Sequence, residues 1–127
     1  MQTVLIDTDV AIDFLRGNES TKSWIAPLWQ QSAAFISILT VYELLSGVKP
    51  KEQKATEHFI SACRVEPVTV AVATLAASEY QQYRQEGITL TSIDCLIAAT
   101  AKINKHQLAT RNIKHYPDKK ILYKPAT

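Results

Sequence analysis

The chain has 127 residues, of which 46% are hydrophobic and 20% charged, and its formal net charge is +2. We expect a single domain over residues 1–127, and this composition excludes global disorder. No apolar run approaches the ~20 residues that a membrane helix needs, and Asp7 with no basic residue before it argues against a signal peptide. Cys63 and Cys95 form no metal-ligand pattern, which favours reduced thiols in a cytoplasmic protein.

Short hydrophobic segments bounded by Gly, Pro and polar residues predict strands that alternate with helices. In chain order, the prediction is a strand at 3–6, helices at 9–15 and 20–31, a strand at 34–38, helices at 40–46 and 51–63, a short strand or extended link at 65–68, helices at 70–86 and 91–104, and strands at 108–110 and 121–123. This alternation predicts an α/β domain with a largely parallel sheet.

The charge is distributed unevenly along the chain. Residues 1–99 contain 7 Lys and Arg against 11 Asp and Glu, whereas residues 100–127 contain 7 Lys and Arg against Asp118 alone. An acidic body with a basic end can combine a carboxylate site with a surface for a polyanion. A solvated end kept soluble by its lysines explains the same pattern.

Three acidic residues stand out by their positions. Asp7 follows the first predicted strand, and ligands bind at the carboxyl ends of parallel strands, although Asp is also common ahead of a helix. Glu43 follows Thr40, and Asp94 follows Thr91, at the spacing of a capping box, which is a purely structural explanation. The helix around Asp94 is apolar on nearly every side, so a carboxylate there needs a partner.

Convergence of Asp7, Glu43 and Asp94 would require a counter-charge. Carboxylates ~5 Å apart repel by roughly 3 kcal/mol per pair at an effective dielectric constant of about 20. Raised pKa values or a divalent cation would relieve that repulsion. Oxygen ligands select Mg²⁺ or Mn²⁺ over zinc, and Mg²⁺ keeps several waters, which suits phosphate chemistry.

Four segments, LIDTDVAIDFLRG, AFISILTVYELLSG, TSIDCLIAATA and LATRNIKHYP, together resemble the PIN domain, in particular the VapC ribonuclease toxins of bacterial type II toxin–antitoxin systems. The resemblance runs in order from about residue 3 to residue 117. It implies a PIN-like α/β/α sandwich with a mostly parallel central sheet. It also implies a Mg²⁺- or Mn²⁺-dependent endoribonuclease that hydrolyses RNA with a metal-activated water, a cognate VapB-like antitoxin and, commonly, a homodimer.

The resemblance assigns site residues position by position. Asp7, Glu43 and Asp94 match the acids implied to bind the metal and to serve catalysis. The fourth catalytic position is Asn112, where many relatives have Asp, and His115 stands where they often have another acid. These two departures favour one firmly bound ion over two. Thr110 resembles the family hydroxyl that helps to orient this corner. If Asn112 faces the metal, Arg111 and Lys114 lie within reach of RNA phosphates, so we expect these three residues to bind the substrate.

Two features near these motifs have more than one explanation. Asp13 lies four residues after Asp9 on the first predicted helix, and we expect it to pair with Arg16 at the surface. Trp24 and Trp29 most simply pack in the core, but they are also suited to a groove that receives an antitoxin.

Two other functions remain open at this point. The string Asp7-Thr8-Asp9-Val10 matches the D-x-D-x-V signature of haloacid-dehalogenase-type phosphatases, in which the first Asp is the nucleophile. Those enzymes need a downstream acidic pair, and Asp94 has no acidic neighbour in sequence. The third alternative is a catalytically silent PIN-type module that binds RNA or a protein.

Overall fold

The fold is a four-stranded parallel sheet with helices on both faces, seen in a computed structural model that describes residues 2–125. Its elements are β1 (Val4–Ile6), α1 (Thr8–Leu15), α2 (Glu19–Gln30), β2 (Ala34–Ser37), α3 (Ile38–Ser46), a 3₁₀ helix (Pro50–Glu52), α4 (Gln53–Ala62), β3 (Arg64–Glu66), α5 (Val70–Gln85), α6 (Ser92–Ile103), β4 (Gln107–Ala109) and a second 3₁₀ helix (Lys119–Ile121).

The strand order is β3-β2-β1-β4, and every pairing is parallel. β1 is central and fully buried, with Leu5 opposite Phe35 of β2 and Leu108 of β4. β1 and most of β2 are short apolar runs, as expected for strands covered by helices on both faces, whereas the edge strand β3 has the polar sequence Arg-Val-Glu and is largely exposed. The predicted α/β class and parallel sheet are confirmed.

Two hydrophobic cores lie on opposite faces of β1, because neighbouring side chains of a strand point to opposite sides. Val4 and Ile6 pack on one face with buried residues of α1 to α4, such as Phe59. Leu5 packs on the other face with α5 and α6, represented by Val72 and Ile97. The result is the expected three-layer α/β/α sandwich.

The capping residue predicted from the sequence is confirmed for α6 and wrong for α3. Thr91 caps α6, since its Oγ1 accepts the Asp94 amide at 3.0 Å, as the capping pattern predicts. The expected start of α3 at Thr40 is wrong. Ser37 ends β2 and caps α3 directly through the Leu39 amide at 3.0 Å, so the strand passes into the helix without a loop. Thr40 is fully buried inside the helix.

The last predicted strand, at residues 121–123, is wrong. Asp118 accepts the Lys120 amide at 3.1 Å and starts the second 3₁₀ helix, so this segment turns where a strand would extend. It touches the sheet through one isolated bridge between Leu108 and Leu122. The ambiguous segment at 65–68 contributes a true strand, β3.

Both tryptophans pack against the core formed by α1 to α4. The Trp29 ring lies 4.9 Å from that of Phe14, and its Nε1–H donates to Cys63 Sγ at 3.3 Å. The Trp24 ring lies 5.3 Å from that of Tyr123. Both tryptophans therefore pack against the core, and both remain half-buried. Within residues 2–125, no helix has the length and apolar character needed to cross a membrane.

The central strand provides a test of this packing. We expect Leu5→Ala to lower the free energy of unfolding by about 2–5 kcal/mol, because it opens a cavity under α5 and α6. Ile103→Ala is the matched control, since Ile103 is 43% exposed. Urea denaturation of both variants checks the prediction, and equal losses would contradict the assignment of Leu5 to the core.

Candidate active site

The acidic residues gather where the carboxyl ends of β1 and β4 meet. The Asp7 amide donates to the Ala109 carbonyl at 2.9 Å, which extends the pairing of the two strands by one bond. From β1 the chain leads to β2 on one side, whereas β4 lies on the other side. This reversal of strand order leaves a crevice at the carboxyl ends of the strands, where parallel α/β sheets bind ligands.

Asp7 is the most enclosed carboxylate of the site, with 5% of its surface exposed. Its Oδ1 accepts the Thr8 amide at 2.8 Å, and its Oδ2 accepts the Thr110 hydroxyl at 2.8 Å. Burial, together with the negative charges of Asp9 and Asp94, raises the pKa of Asp7 to about 6 and outweighs these two hydrogen bonds. Asp7 therefore carries its charge only above mildly acidic pH.

Asp9, in the first turn of α1, faces the same crevice. Its Oδ2 accepts the Arg111 amide at 3.1 Å, which ties α1 to the segment after β4. Its Oδ1 is buried and has no hydrogen-bond partner among the residues that the structure describes. Burial raises the pKa of Asp9 as well. An unpaired buried carboxylate oxygen is costly, so this atom is suited to an additional ligand.

Asp94 approaches Asp7 from the first turn of α6, on the opposite side of the crevice. The hydroxyl of the buried Tyr116 lies 3.4 Å from Asp94 Oδ1 and 3.5 Å from Asp7 Oδ2. One phenol thus reaches both carboxylates. Burial and the charges of Asp7 and Asp94 raise the pKa of Tyr116, so its hydroxyl keeps its proton.

Glu43 joins this arrangement through Thr8 rather than by direct contact with the aspartates. The Thr8 hydroxyl donates to Glu43 Oε1 at 2.7 Å, while the Thr8 amide donates to Asp7. The Thr8 hydroxyl has one hydrogen, and it donates that hydrogen to Glu43. The Thr40 hydroxyl, 3.0 Å away, must therefore be the donor in its contact with the Thr8 hydroxyl. The buried Thr40 in α3 therefore orients Thr8, and Thr8 holds Glu43.

The segment after β4 forms the exposed corner of the site. The Thr110 hydroxyl accepts the Asn112 amide at 3.1 Å while it donates to Asp7, so one side chain holds the turn against the acidic crevice. The side chains of Asn112, Lys114 and His115 are exposed. They lie at the rim, where a large substrate can reach them.

Arg111 has an ionic partner that corrects one expectation. Its Nη1 lies 3.1 Å from Asp13 Oδ1, so Asp13 pairs with Arg111 and not with Arg16. The reason is geometric, since the bond from the Arg111 amide to Asp9 already places this residue beside α1. The Arg111 side chain remains 61% exposed, so the contact does not remove its charge from the surface.

The donor set fits a hard divalent cation held by few protein ligands. Among residues 2–125, no three acidic, His or Cys side chains lie close enough together to hold one ion. Mg²⁺ needs only one or two carboxylates, because it retains most of its waters. Asp7 and Asp94, which share the hydroxyl of Tyr116, supply such a pair, and the unpartnered Oδ1 of Asp9 is available to a ligand or its water.

Three residues of this site have weak sequence signals. Asp9 belongs to the D-x-D-x-V string and lies two residues after Asp7, which puts both at the start of α1. Thr8 had no signal beyond standing between the two aspartates. Tyr116 had none, because its contact with Asp7 depends on how a segment 109 residues away in sequence returns to β1.

A buried carboxylate crevice at the point where the strand order reverses places the protein among the α/β/α sandwich proteins with an acidic site at the carboxyl ends of the strands. Comparison with known proteins then identifies the family, since the model of the PIN domain matches residues 4–117. The chain belongs to the PIN domain family.

Individual relatives agree with this membership. The chain is 32% identical to Ribonuclease VapC10 of Mycobacterium tuberculosis over 114 residues, which cover 90% of this chain and 86% of that protein. It is 36% identical to Ribonuclease VapC19 of the same organism, with 89% and 91% covered.

Solved structures give the same fold. A DNA-bound VapBC structure from Salmonella typhimurium contains a chain that matches with a TM-score of 0.84 at 20% identity, covering 96% of both chains. The FitAcB structure from Neisseria gonorrhoeae contains one that matches with a TM-score of 0.75 at 27% identity, covering 87% of this chain and 88% of that one.

The raised pKa of Asp7 predicts how stability depends on pH in the absence of metal. The folded protein holds this proton more tightly than the unfolded chain, so the contribution of Asp7 to stability decreases as the pH rises from 3.8 to about 6. We expect Asp7→Asn to be more stable than wild type at neutral pH, by up to about 3 kcal/mol, and nearly equal to it at about pH 4.

Urea denaturation in EDTA across this pH range measures the difference. Glu57→Gln is the control, because Glu57 is an exposed carboxylate on α4 and its removal leaves the buried site unchanged. A pH-independent difference between wild type and Asp7→Asn would show that burial does not destabilise the Asp7 carboxylate.

Proposed function

We propose that this protein is an endoribonuclease of the VapC type, dependent on Mg²⁺ or Mn²⁺, and the toxin of a type II toxin–antitoxin pair. The observation that carries the proposal is the approach of the Asp7 and Asp94 carboxylates to one buried hydroxyl, in a chain that matches the PIN domain over residues 4–117. Its relatives named Ribonuclease VapC cover most of the chain.

Asp7 and Asp94 are proposed as the residues that hold the cation. Glu43 is proposed to reach it through a bridging water, because no three acidic side chains among residues 2–125 lie close enough together to bind one ion directly. When bound, the cation supplies charge for the phosphate and lowers the pKa of a coordinated water. Thr8 orients Glu43 through Oε1, so the other carboxylate oxygen of Glu43 is the proposed acceptor of the proton from the attacking water.

Asn112 is proposed as the fourth catalytic position. Its side chain offers an amide oxygen without a charge, and its backbone is held by Thr110 next to Asp7. Because this corner adds no carboxylate, we propose one firmly held ion rather than two.

The substrate is proposed to be RNA that approaches over the exposed corner. Arg111 and Lys114 place two cations beside the acidic crevice, and both side chains are exposed. Arginine and lysine at such a rim neutralise backbone phosphates without reading sequence. Thr110 is proposed to position this corner, because its hydroxyl connects Asp7 with Asn112.

The proposal extends to partners. The relatives are VapC ribonucleases, and the structural neighbours include VapBC complexes, so we propose a VapB-like antitoxin as the inhibitor. We also propose a homodimer, which light scattering of the purified protein would test. A toxin that cleaves cellular RNA acts in the cytoplasm, and we place this protein there.

Cleavage of RNA tests the function directly. We expect purified protein to cleave RNA in Mg²⁺ or Mn²⁺ and to leave 5′-phosphate and 3′-hydroxyl ends, whereas Asp7→Asn and Asp94→Asn lose about 10²-fold or more of that activity while remaining folded. Glu57→Gln is the control, since it removes an exposed carboxylate on α4 and should retain full activity.

The same assay separates the alternatives. Hydrolysis of a phosphomonoester without RNA cleavage would favour the phosphatase in which Asp7 is the nucleophile. RNA binding without either reaction would favour a silent module. In both cases the nuclease proposal is overturned.

The basic corner gives a second prediction. In the inactive Asp7→Asn background, we expect Lys114→Gln to weaken RNA binding. A plot of the logarithm of the association constant against the logarithm of the salt concentration should also become less steep by about 0.7, the value for one phosphate contact on a single strand. Lys124→Gln is the matched control, because Lys124 is also exposed but lies ten residues further along the chain. Fluorescence anisotropy across a salt series measures binding by both variants. If the two variants have equal slopes, Lys114 does not contact the RNA backbone.

A further inference from the structure

Tyr116 is the buried residue of an otherwise exposed segment. Residues 111–115 and 117 are exposed, whereas Tyr116 is 1% exposed and packs into the core beneath α5 and α6. Its ring fills space as any aromatic residue would. Its hydroxyl, however, ends between the two proposed cation ligands, 3.4 Å from Asp94 Oδ1 and 3.5 Å from Asp7 Oδ2.

The two carboxylates depend on Tyr116 to different degrees. Asp7 accepts two shorter hydrogen bonds, from the Thr8 amide and the Thr110 hydroxyl, both at 2.8 Å. Among residues 2–125, Tyr116 is the only hydrogen-bond partner of the Asp94 side chain. Asp7 is therefore held by shorter bonds than the one Tyr116 offers, whereas the long contact with Tyr116 is the hydrogen bond that the described residues give to the Asp94 carboxylate.

A second set of contacts holds Tyr116 in place. Asp118, two residues later, lies 3.5 Å from Lys102 Nζ, and Lys102 is on the same helix as Asp94. Glu79 of α5 also pairs with Lys102, at 2.5 Å. Helix α6 thus carries both Asp94 and the cation that ties down the segment bearing Tyr116.

We infer that Tyr116 is a positioning residue of the carboxylate pair: its hydroxyl orients Asp94 opposite Asp7 and thereby raises the affinity of the pair for a divalent cation. This inference rests on the proposed function. A phenol has one hydrogen and donates to one carboxylate at a time, and both distances exceed the usual ~2.8 Å for O–H···O. The hydroxyl therefore lies between the two carboxylates but can donate to only one of them, and the one without another hydrogen-bond donor among residues 2–125 is Asp94.

Mn²⁺ binding to the metal-free protein tests the inference apart from catalysis. Tyr116→Phe keeps the ring and removes only the hydroxyl. We expect this variant to raise the dissociation constant for Mn²⁺ about tenfold, which is the lower end of the loss in metal affinity seen when a residue that hydrogen-bonds to a metal ligand is removed. It should also reduce the rise in unfolding temperature that Mn²⁺ produces in wild type, while the circular dichroism spectrum remains unchanged.

Tyr80→Phe is the matched control. Tyr80 on α5 packs against the same core, with Arg84 over its ring, and it takes no part in the contacts among Glu79, Lys102 and Asp118. Loss of its hydroxyl should leave Mn²⁺ affinity unchanged. Asp118→Asn is a second variant, since Asn can still cap the 3₁₀ helix while the ion pair to Lys102 is lost. We expect a smaller loss of affinity from Asp118→Asn than from Tyr116→Phe.

The outcomes separate this inference from the function on which it rests. If wild type binds Mn²⁺, Asp94→Asn does not, and Tyr116→Phe binds as tightly as wild type, the positioning role is overturned and the cation site stands. Tighter binding by Tyr116→Phe also overturns it, because the hydroxyl would then compete with the cation. If wild type itself fails to bind Mn²⁺, it is the proposed metal-dependent function that fails.

Discussion

The buried carboxylate of Asp7 is the constraint around which the rest of the site is arranged. It stands at the end of the central strand, 5% exposed, and the charges of Asp9 and Asp94 add to the cost of its burial. Two hydrogen bonds from Thr8 and Thr110 offset part of that cost, yet the pKa of Asp7 still rises to about 6. A site built only for stability would place an uncharged residue here.

The amino-terminal ends of α1 and α6 provide positive electrostatic potential next to the acidic side chains of the crevice. Asp7 caps α1, Asp9 lies in its first turn, and Asp94 lies in the first turn of α6. The amino-terminal ends of helices carry partial positive charge, which favours carboxylates. The backbone can therefore hold several acids together while the cationic side chains, such as Arg111 and Lys114, stay at the rim and remain exposed. This division is the one that the proposed function requires, with a cation inside the crevice and a polyanion across its opening.

The sequence predicted the features that depend on local chemistry. The Thr91 cap, the apolar strands and the place of Asp7 after β1 all follow from short patterns, and the structure agrees with them. The errors arose where tertiary contacts decide between locally equivalent choices. Ser37 and Thr40 can each cap a helix, but Thr40 is buried against Thr8, and only the packing of α3 on α1 shows that.

The same limit applied to charge pairing. Asp13 had a local candidate in Arg16, three residues away, yet it pairs with Arg111, from which it is separated by 98 residues. Surface ion pairs between neighbours on a helix are worth only a few tenths of a kcal/mol, so a partner supplied by the fold easily replaces them. The contact of Tyr116 with Asp7 was beyond prediction for the same reason, because it depends on the path of the segment after β4.

The charge of the site is also distributed differently from the family pattern that the sequence suggested. Asn112 and His115 contribute no carboxylate at the exposed corner. Asp9 adds a carboxylate next to this corner, since its Oδ2 accepts the Arg111 amide and its unpartnered Oδ1 is buried in the first turn of α1. Three acids thus approach the crevice from two helix starts, and the segment after β4 contributes Thr110, Tyr116 and neutral Asn112. The negative charge of the site therefore lies at two helix starts, and the segment after β4 adds hydroxyl and amide groups that are held against it by the bonds of Thr110.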